Sequence, residues 1–100
     1  MSTEYKTIPP IKYEDVIKHP LFHCVREDGY FKPEFEPCLV ACAEQPKTIW
    51  LFKQPDGSAL FERYGAQNDK ILCVIARAFN VAVESEYGEP FCDANGIESL

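Results

Sequence analysis

The chain has 100 residues, of which 46% are hydrophobic, and its 16 acidic and 10 basic side chains give a formal net charge of −6. This length suits one domain with its own apolar core, and the hydrophobic fraction excludes a wholly disordered chain. No apolar run reaches the roughly 18 residues that a membrane-spanning helix needs, and no cationic, apolar signal segment opens the sequence. We therefore expect a single domain over residues 1–100 without membrane contact.

The negative charge is concentrated near the C-terminus. Residues 81–100 contain five carboxylates and no Lys or Arg, which leaves 11 of the 16 acids to offset the 10 bases in residues 1–80. Residues 88–100 also contain few apolar side chains, so we expect a flexible acidic tail there. Nucleic-acid binding draws its affinity from cationic groups that neutralise phosphates. Direct nucleic-acid binding is therefore not expected.

The cysteine content indicates a reducing compartment. Five cysteines are an odd number, so a fully paired secreted disulfide framework cannot be built from them. Most of them lie in apolar surroundings, where free thiols behave as small hydrophobic groups. The sequence therefore predicts a cytoplasmic protein.

The N-terminal quarter predicts an arm followed by a short helix. Residues 1–10 are polar and end in two prolines, which favours a flexible arm. Tyr13, Val16 and Ile17 follow helical spacing, and Pro20 stops the pattern, so residues 13–18 are expected to form a helix on the core. A small hairpin around a turn at Asp28 is the interpretation of residues 22–32.

The centre of the chain predicts an antiparallel β-meander with strands at about 38–43, 48–54 and 58–64. Residues 54–57 read Gln-Pro-Asp-Gly, a turn sequence in which glycine accepts a positive φ. A type I turn with a glycine bulge would set Leu51 opposite Phe61 and Phe52 opposite Leu60. A two-residue turn would shift that register by one, and the sequence leaves both open.

A helix over 69–79 and a strand over 81–86 follow the meander. The helix has a wide apolar arc, with Cys73 placed on its polar side. A strand that follows a crossover helix can lie parallel to an earlier strand. The fold class predicted from these elements is α+β, an antiparallel meander with one packed helix and a short N-terminal helix.

The hairpin carries large apolar side chains on both of its faces, more than one 11-residue helix can cover. Either the 13–18 helix covers the second face or a partner does. The surface expected to bind a partner combines an aromatic group with acidic residues of the C-terminal fifth: Trp50, Phe52, Leu60, Tyr64, Glu84, Glu86 and Glu89. Aromatic clusters beside polar rims are typical of interaction sites.

The function expected from these features is a small acidic cytoplasmic module, an inhibitor or adaptor, that binds another protein or a second copy of itself. The carboxylates between Glu84 and Glu98 would stand in for phosphates if the partner has a basic nucleic-acid-binding surface. No catalytic residue, cofactor or metal is expected. The alternative is a small enzyme or ligand-binding domain with His19, His23, Cys24 and Arg63 around a pocket.

Three further motifs give only weak evidence of a metal or catalytic site. His19 and His23 with Cys38 and Cys42 have the chemistry of a zinc set, but Pro20 breaks the helix that would align the histidines. Cys24 or Cys73 as a nucleophile would lack an orienting third group. Residues 93–96 with Glu98 resemble part of a calcium loop, yet they are too short and predict a turn.

Overall fold

The computed structural model describes residues 2–25, 38–42, 45–64 and 69–99. The expected hairpin around Asp28 falls largely outside these residues. The described part contains two helices and seven strands, and the fold is α+β, as predicted. In chain order the elements are β1 (Ser2–Ile8), α1 (Tyr13–Lys18), β2 (Phe22–Val25), β3 (Cys38–Cys42), β4 (Gln45–Lys53), β5 (Ala59–Tyr64), α2 (Asp69–Phe79), β6 (Ala82–Ser85) and β7 (Pro90–Cys92).

The strands form one sheet in the order β2-β3-β4-β5-β1-β6-β7, and each pair of neighbours is antiparallel. The predicted meander is β3-β4-β5. Strands β5 and β6 both lie antiparallel to β1, so they run parallel to each other across it. The connection through α2 is therefore a crossover between parallel strands, as the sequence allowed.

The β4–β5 hairpin has the longer of the two turns that the sequence left open. Leu51 pairs with Phe61 and Phe52 pairs with Leu60. The Gly57 amide donates to the Gln54 carbonyl at 2.8 Å, and Gly57 has φ +88°. Glycine reaches this left-handed conformation without the steric cost that a side chain would add. The turn chemistry therefore fixes the register.

The expected N-terminal arm is instead a strand in the interior of the sheet. Strand β1 pairs with β5 on one side and with β6 on the other. Tyr5 and Thr7 are buried, whereas Lys6 and Ile8 are exposed. Only Tyr5 and Ile8 are strongly apolar, so the two-residue period of a half-buried strand is weak in the sequence. Pairing along both edges secures a segment that propensity alone would leave free.

The expected flexible tail is likewise ordered over its described residues. Strand β7 pairs with β6, and Cys92 is only 1% exposed. Beyond β7 the Asp93 amide donates to the Ile97 carbonyl at 3.0 Å, and the Asp93 carboxylate accepts from the Asn95 amide at 2.9 Å. Residues 93–96 thus form a turn, as predicted. Because that turn brings the chain back onto Cys92, the acidic composition does not leave the segment free.

Helix α2 follows the predicted limits, and a residue in the left-handed conformation follows its end. Asn80 has φ +55°, and the Val81 amide donates to the Ala76 carbonyl at 3.0 Å. This is the pattern of a Schellman cap. All residues from 71 to 76 are buried, because the sheet covers one side of α2 and the turn at residues 93–96, which we call the C-terminal turn, covers another. Cys73 lies on the polar side of α2, as predicted, but the C-terminal turn buries it there.

Both helices pack on the same face of the sheet, which we call the inner face. The residues of β4 and β5 that point to this face include Ile49, Leu51 and Phe61, which are at most 2% exposed. Tyr13 and Val16 of α1 belong to the same core cluster as the α2 residues. The second apolar face of the hairpin is therefore not covered by α1, contrary to one of the two expectations.

Candidate interaction surface

The opposite face of the sheet, which we call the outer face, carries an aromatic patch of Leu39, Trp50, Phe52 and Leu60. Leu39 pairs with Trp50 across β3 and β4, and Phe52 pairs with Leu60 across β4 and β5. The Trp50 and Phe52 ring centroids lie 6.4 Å apart. All four side chains remain partly exposed. Helices α1 and α2 lie on the inner face, so neither covers the patch.

The carboxylates of Glu62 and Glu4, which we call the acidic strip, continue the row of side chains that begins in the aromatic patch. Trp50 pairs with Glu62 across β4 and β5, and Glu62 pairs with Glu4 across β5 and β1. The row from Leu39 through Trp50 to Glu4 therefore changes from apolar to acidic across four adjacent strands. Like charges directly opposite each other destabilise a sheet. Within the described residues neither carboxylate has an ion pair.

The structure places four of the seven predicted partner-binding residues on the outer face, namely Trp50, Phe52, Leu60 and Glu84. Glu84 forms an ion pair with Lys6 at 3.2 Å. Glu86 and Glu89 lie in the exposed connection between β6 and β7, at the rim of the sheet. Tyr64 ends β5, and the position of its side chain lies outside the described part.

The other two C-terminal acids lie away from the aromatic patch. Asp93 caps its own turn, and Glu98 pairs with Lys70 of α2 at 2.8 Å. The hydrogen bond from Lys70 lowers the pKa of the Glu98 carboxyl. The C-terminal fifth therefore does not present one acidic surface.

Sequence reasoning missed Glu4 and Glu62. Their position on the outer face depends on β1 lying between β5 and β6, which the sequence did not predict. The signal that was available is the alternation of β1, in which Glu4 and Lys6 flank the apolar Tyr5. That alternation would have placed both charges on one face of a strand.

The residues of the alternative, enzyme-like site are not brought together. His19 packs its ring against Phe22 and Phe79 with centroids 5.1 and 5.0 Å away, and its Nδ1 accepts from the Leu21 amide. His23 and Cys24 are adjacent in β2 and point to opposite faces. Arg63 lies in β5, three strand positions away from β2, or about 14 Å at the usual strand spacing.

The same geometry separates the candidate zinc ligands. His23 pairs with Ala41 on the outer face, whereas Cys42 is buried on the inner face, and the Cys38 side chain is not described. Within residues 2–25, 38–42, 45–64 and 69–99, no three His, Cys, Asp or Glu side chains are grouped to hold a metal ion. Arg63 and Arg77, two cations that could bind an anion if they lay together, are also apart, since Arg63 covers the Tyr5 ring and Arg77 lies on α2.

Two buried thiols meet beneath the C-terminal turn. Burial is the main cause that raises the pKa of Cys73, and the nearby Glu98 carboxylate adds to it. Burial also raises the pKa of Cys92 to about 12, with Cys73 as the next contributor. The thiolate is the reactive form of cysteine, so both thiols are poor nucleophiles at neutral pH. This chemistry fits packing groups better than catalytic ones.

An open groove of about 430 Å³ lies between α2 and the C-terminal turn. Its wall contains Cys73, and the ion pair between Lys70 and Glu98 joins its two sides. Gly96 fits the groove wall tightly, because a Cβ there would come within 2.5 Å of the Cys73 carbonyl oxygen. The groove lies on the helix side of the molecule, away from the aromatic patch.

Neither described helix has the length and apolar character needed to cross a membrane. Comparison of the chain with protein-family models, with curated proteins and with solved structures finds no match in any of the three.

Proposed function

We propose that the chain is a small protein-interaction module that binds a polypeptide partner through the outer face of its sheet. The observation that carries this proposal is the aromatic patch, which holds Trp50 and Phe52 partly exposed on the face opposite both helices. Interfaces place aromatic side chains at their centres and polar groups around them. Glu84 and the acidic strip supply such a polar rim.

The inhibitor or adaptor role and the cytoplasmic location belong to the same proposal. Buried free thiols at Cys42, Cys73 and Cys92 support a reducing compartment. Masking of a basic nucleic-acid-binding surface remains part of the proposal, but not all of the C-terminal acids take part in it. Glu84 lies on the outer face, whereas Asp93 and Glu98 are engaged on the helix side, so the five C-terminal acids do not act as one group in this proposal.

A photo-crosslinking amino acid placed at Phe52 tests the proposal. We expect discrete adducts with a polypeptide in a cell extract, and we expect excess unlabelled wild-type protein to suppress them. The matched control places the same amino acid at Asp15, an exposed position on α1 at the helix side. Adducts at Asp15 should be absent or unaffected by the competitor.

A second competitor makes the test specific to the aromatic patch. Unlabelled Trp50→Ser protein should compete at least about tenfold less well than wild type, since a central aromatic residue commonly dominates an interface. Circular dichroism would establish that this variant is folded. Equal competition by both proteins, or equal crosslinking at the two positions, would overturn the proposal.

A further inference from the structure

The register of the outer face aligns an indole ring with two carboxylates in one row. Trp50 of β4 lies beside Glu62 of β5, and Glu62 lies beside Glu4 of β1. Adjacent strands are about 4.8 Å apart, so the row from Trp50 to Glu4 spans about 10 Å. The point between Glu62 and Glu4 lies one and a half spacings, or about 7 Å, from Trp50, and an extended Arg side chain covers that distance from its own backbone.

Building on the function proposed above, we infer that the partner presents a basic segment to this row. An Arg or Lys stem lies against the Trp50 ring, and its charged end lies between Glu62 and Glu4. Aromatic faces attract cations, and carboxylates form the strongest hydrogen bonds with guanidinium groups. Apolar side chains of the same segment pack on Phe52 and Leu60. The occupant is thus a polypeptide in which basic and apolar residues are interspersed.

The carboxylate pair itself favours this partner. Glu4 and Glu62 face each other directly on neighbouring strands, an arrangement that costs stability in the free protein. A cation between them turns that repulsion into attraction from both sides. On the adjacent row Lys6 already supplies such a cation to Glu84 at 3.2 Å. The acidic strip has no equivalent partner among the described residues.

The overall charge disfavours a second copy of the chain as the occupant. Each copy carries a formal net charge of −6, so two outer faces would approach against electrostatic repulsion. A basic polypeptide is attracted by the same charge, which also raises its rate of association at low salt. Sedimentation velocity separates these cases, because a dimer at low salt would overturn the inference of a basic occupant.

Trp50 provides a specific readout, since it is the only tryptophan in the sequence. The probe is a synthetic 12-residue peptide of alternating Arg and Leu that contains no tryptophan. We expect it to change the Trp50 emission saturably and to bind more weakly as salt rises from about 30 to about 300 mM. A peptide with Glu in place of Arg should leave the emission unchanged.

Charge variants with equal net charge locate the binding site. Glu4→Gln combined with Glu62→Gln should weaken binding of the Arg/Leu peptide about tenfold, whereas Asp15→Asn combined with Glu98→Gln should change it by less than about twofold. Both control positions lie on the helix side. Equal weakening in the two double variants would show general charge attraction and would overturn the inference.

The two proposals can fail separately. If the Arg/Leu peptide does not alter the Trp50 emission while crosslinking at Phe52 remains specific, the basic partner is wrong and the interaction surface stands. If crosslinking at Phe52 is also unspecific, both are wrong. Saturable peptide binding that the Glu4→Gln and Glu62→Gln changes weaken, with controls unaffected, supports both.

Discussion

The two faces of the sheet carry similar side chains in very different environments. On the inner face Leu51 and Phe61 form a cross-strand pair that is fully buried under the helices. One residue along, Phe52 and Leu60 form the equivalent pair on the outer face and stay partly exposed. The hairpin sequence is therefore apolar on both faces, and what packs on each face decides whether a side chain contributes to the core or remains available for binding.

The largest difference in stability that we predict is between the loss of one aromatic ring on the inner face and the loss of one on the outer face. Phe61→Ala should lower the free energy of unfolding by about 3–5 kcal/mol, because it leaves a cavity in a packed core. Phe52→Ala should lower it by about 1 kcal/mol or less, because its site is already partly hydrated. Urea denaturation of both variants measures the difference. Equal losses would mean that the outer face is as well packed as the inner face.

Alanine substitutions at two separate glycines test how closely the C-terminal turn packs against α2. Gly96→Ala should destabilise the protein by about 2–4 kcal/mol, since it combines a φ of +77° with a Cβ only 2.5 Å from the Cys73 carbonyl oxygen. Gly57→Ala is the matched control, with φ +88° and no atom within 4 Å of the added Cβ. It should cost about 1 kcal/mol. Thermal unfolding compares them, and similar losses would contradict the close packing of Gly96.

The two buried thiols beneath the C-terminal turn predict a loss of stability at alkaline pH. The folded-state pKa of Cys92 is raised from its ordinary 9.0 to about 12, so its contribution is complete below pH 9.0 and is lost as pH rises toward 12. Cys73 shifts in the same direction. Urea denaturation at a series of pH values should therefore show a decline that is shallower in Cys92→Ala. An unchanged slope in that variant would assign the decline to other groups.

The smallest change that we predict is a gain in stability from a substitution on the outer face. Glu62→Gln removes the repulsion with Glu4 and should raise the free energy of unfolding by about 0.2–1 kcal/mol at low salt. Glu84→Gln is the matched control, because it breaks the ion pair with Lys6 and should have no stabilising effect. Added salt should reduce the gain. A loss of stability in Glu62→Gln would show that this carboxylate has a stabilising contact.

The elements that can be predicted from the sequence are those whose signals are local. The Gln-Pro-Asp-Gly turn sets the β4–β5 register, the apolar spacing over 69–79 gives α2, and Asn80 ends it. Trp50 and Phe52 were expected together because alternate residues of a strand share a face. Each of these features depends on residues close in the chain.

The positions of the two ends of the chain depend on long-range contacts and could not be predicted from the sequence. Strand β1 has little apolar content, and its place between β5 and β6 depends on pairing with residues about 60 to 80 positions away. The C-terminal turn is held by Cys92 and Gly96, which pack against α2. Because such long-range contacts leave no local pattern, the sequence could not bring Glu4 beside Glu62 or bury Cys73.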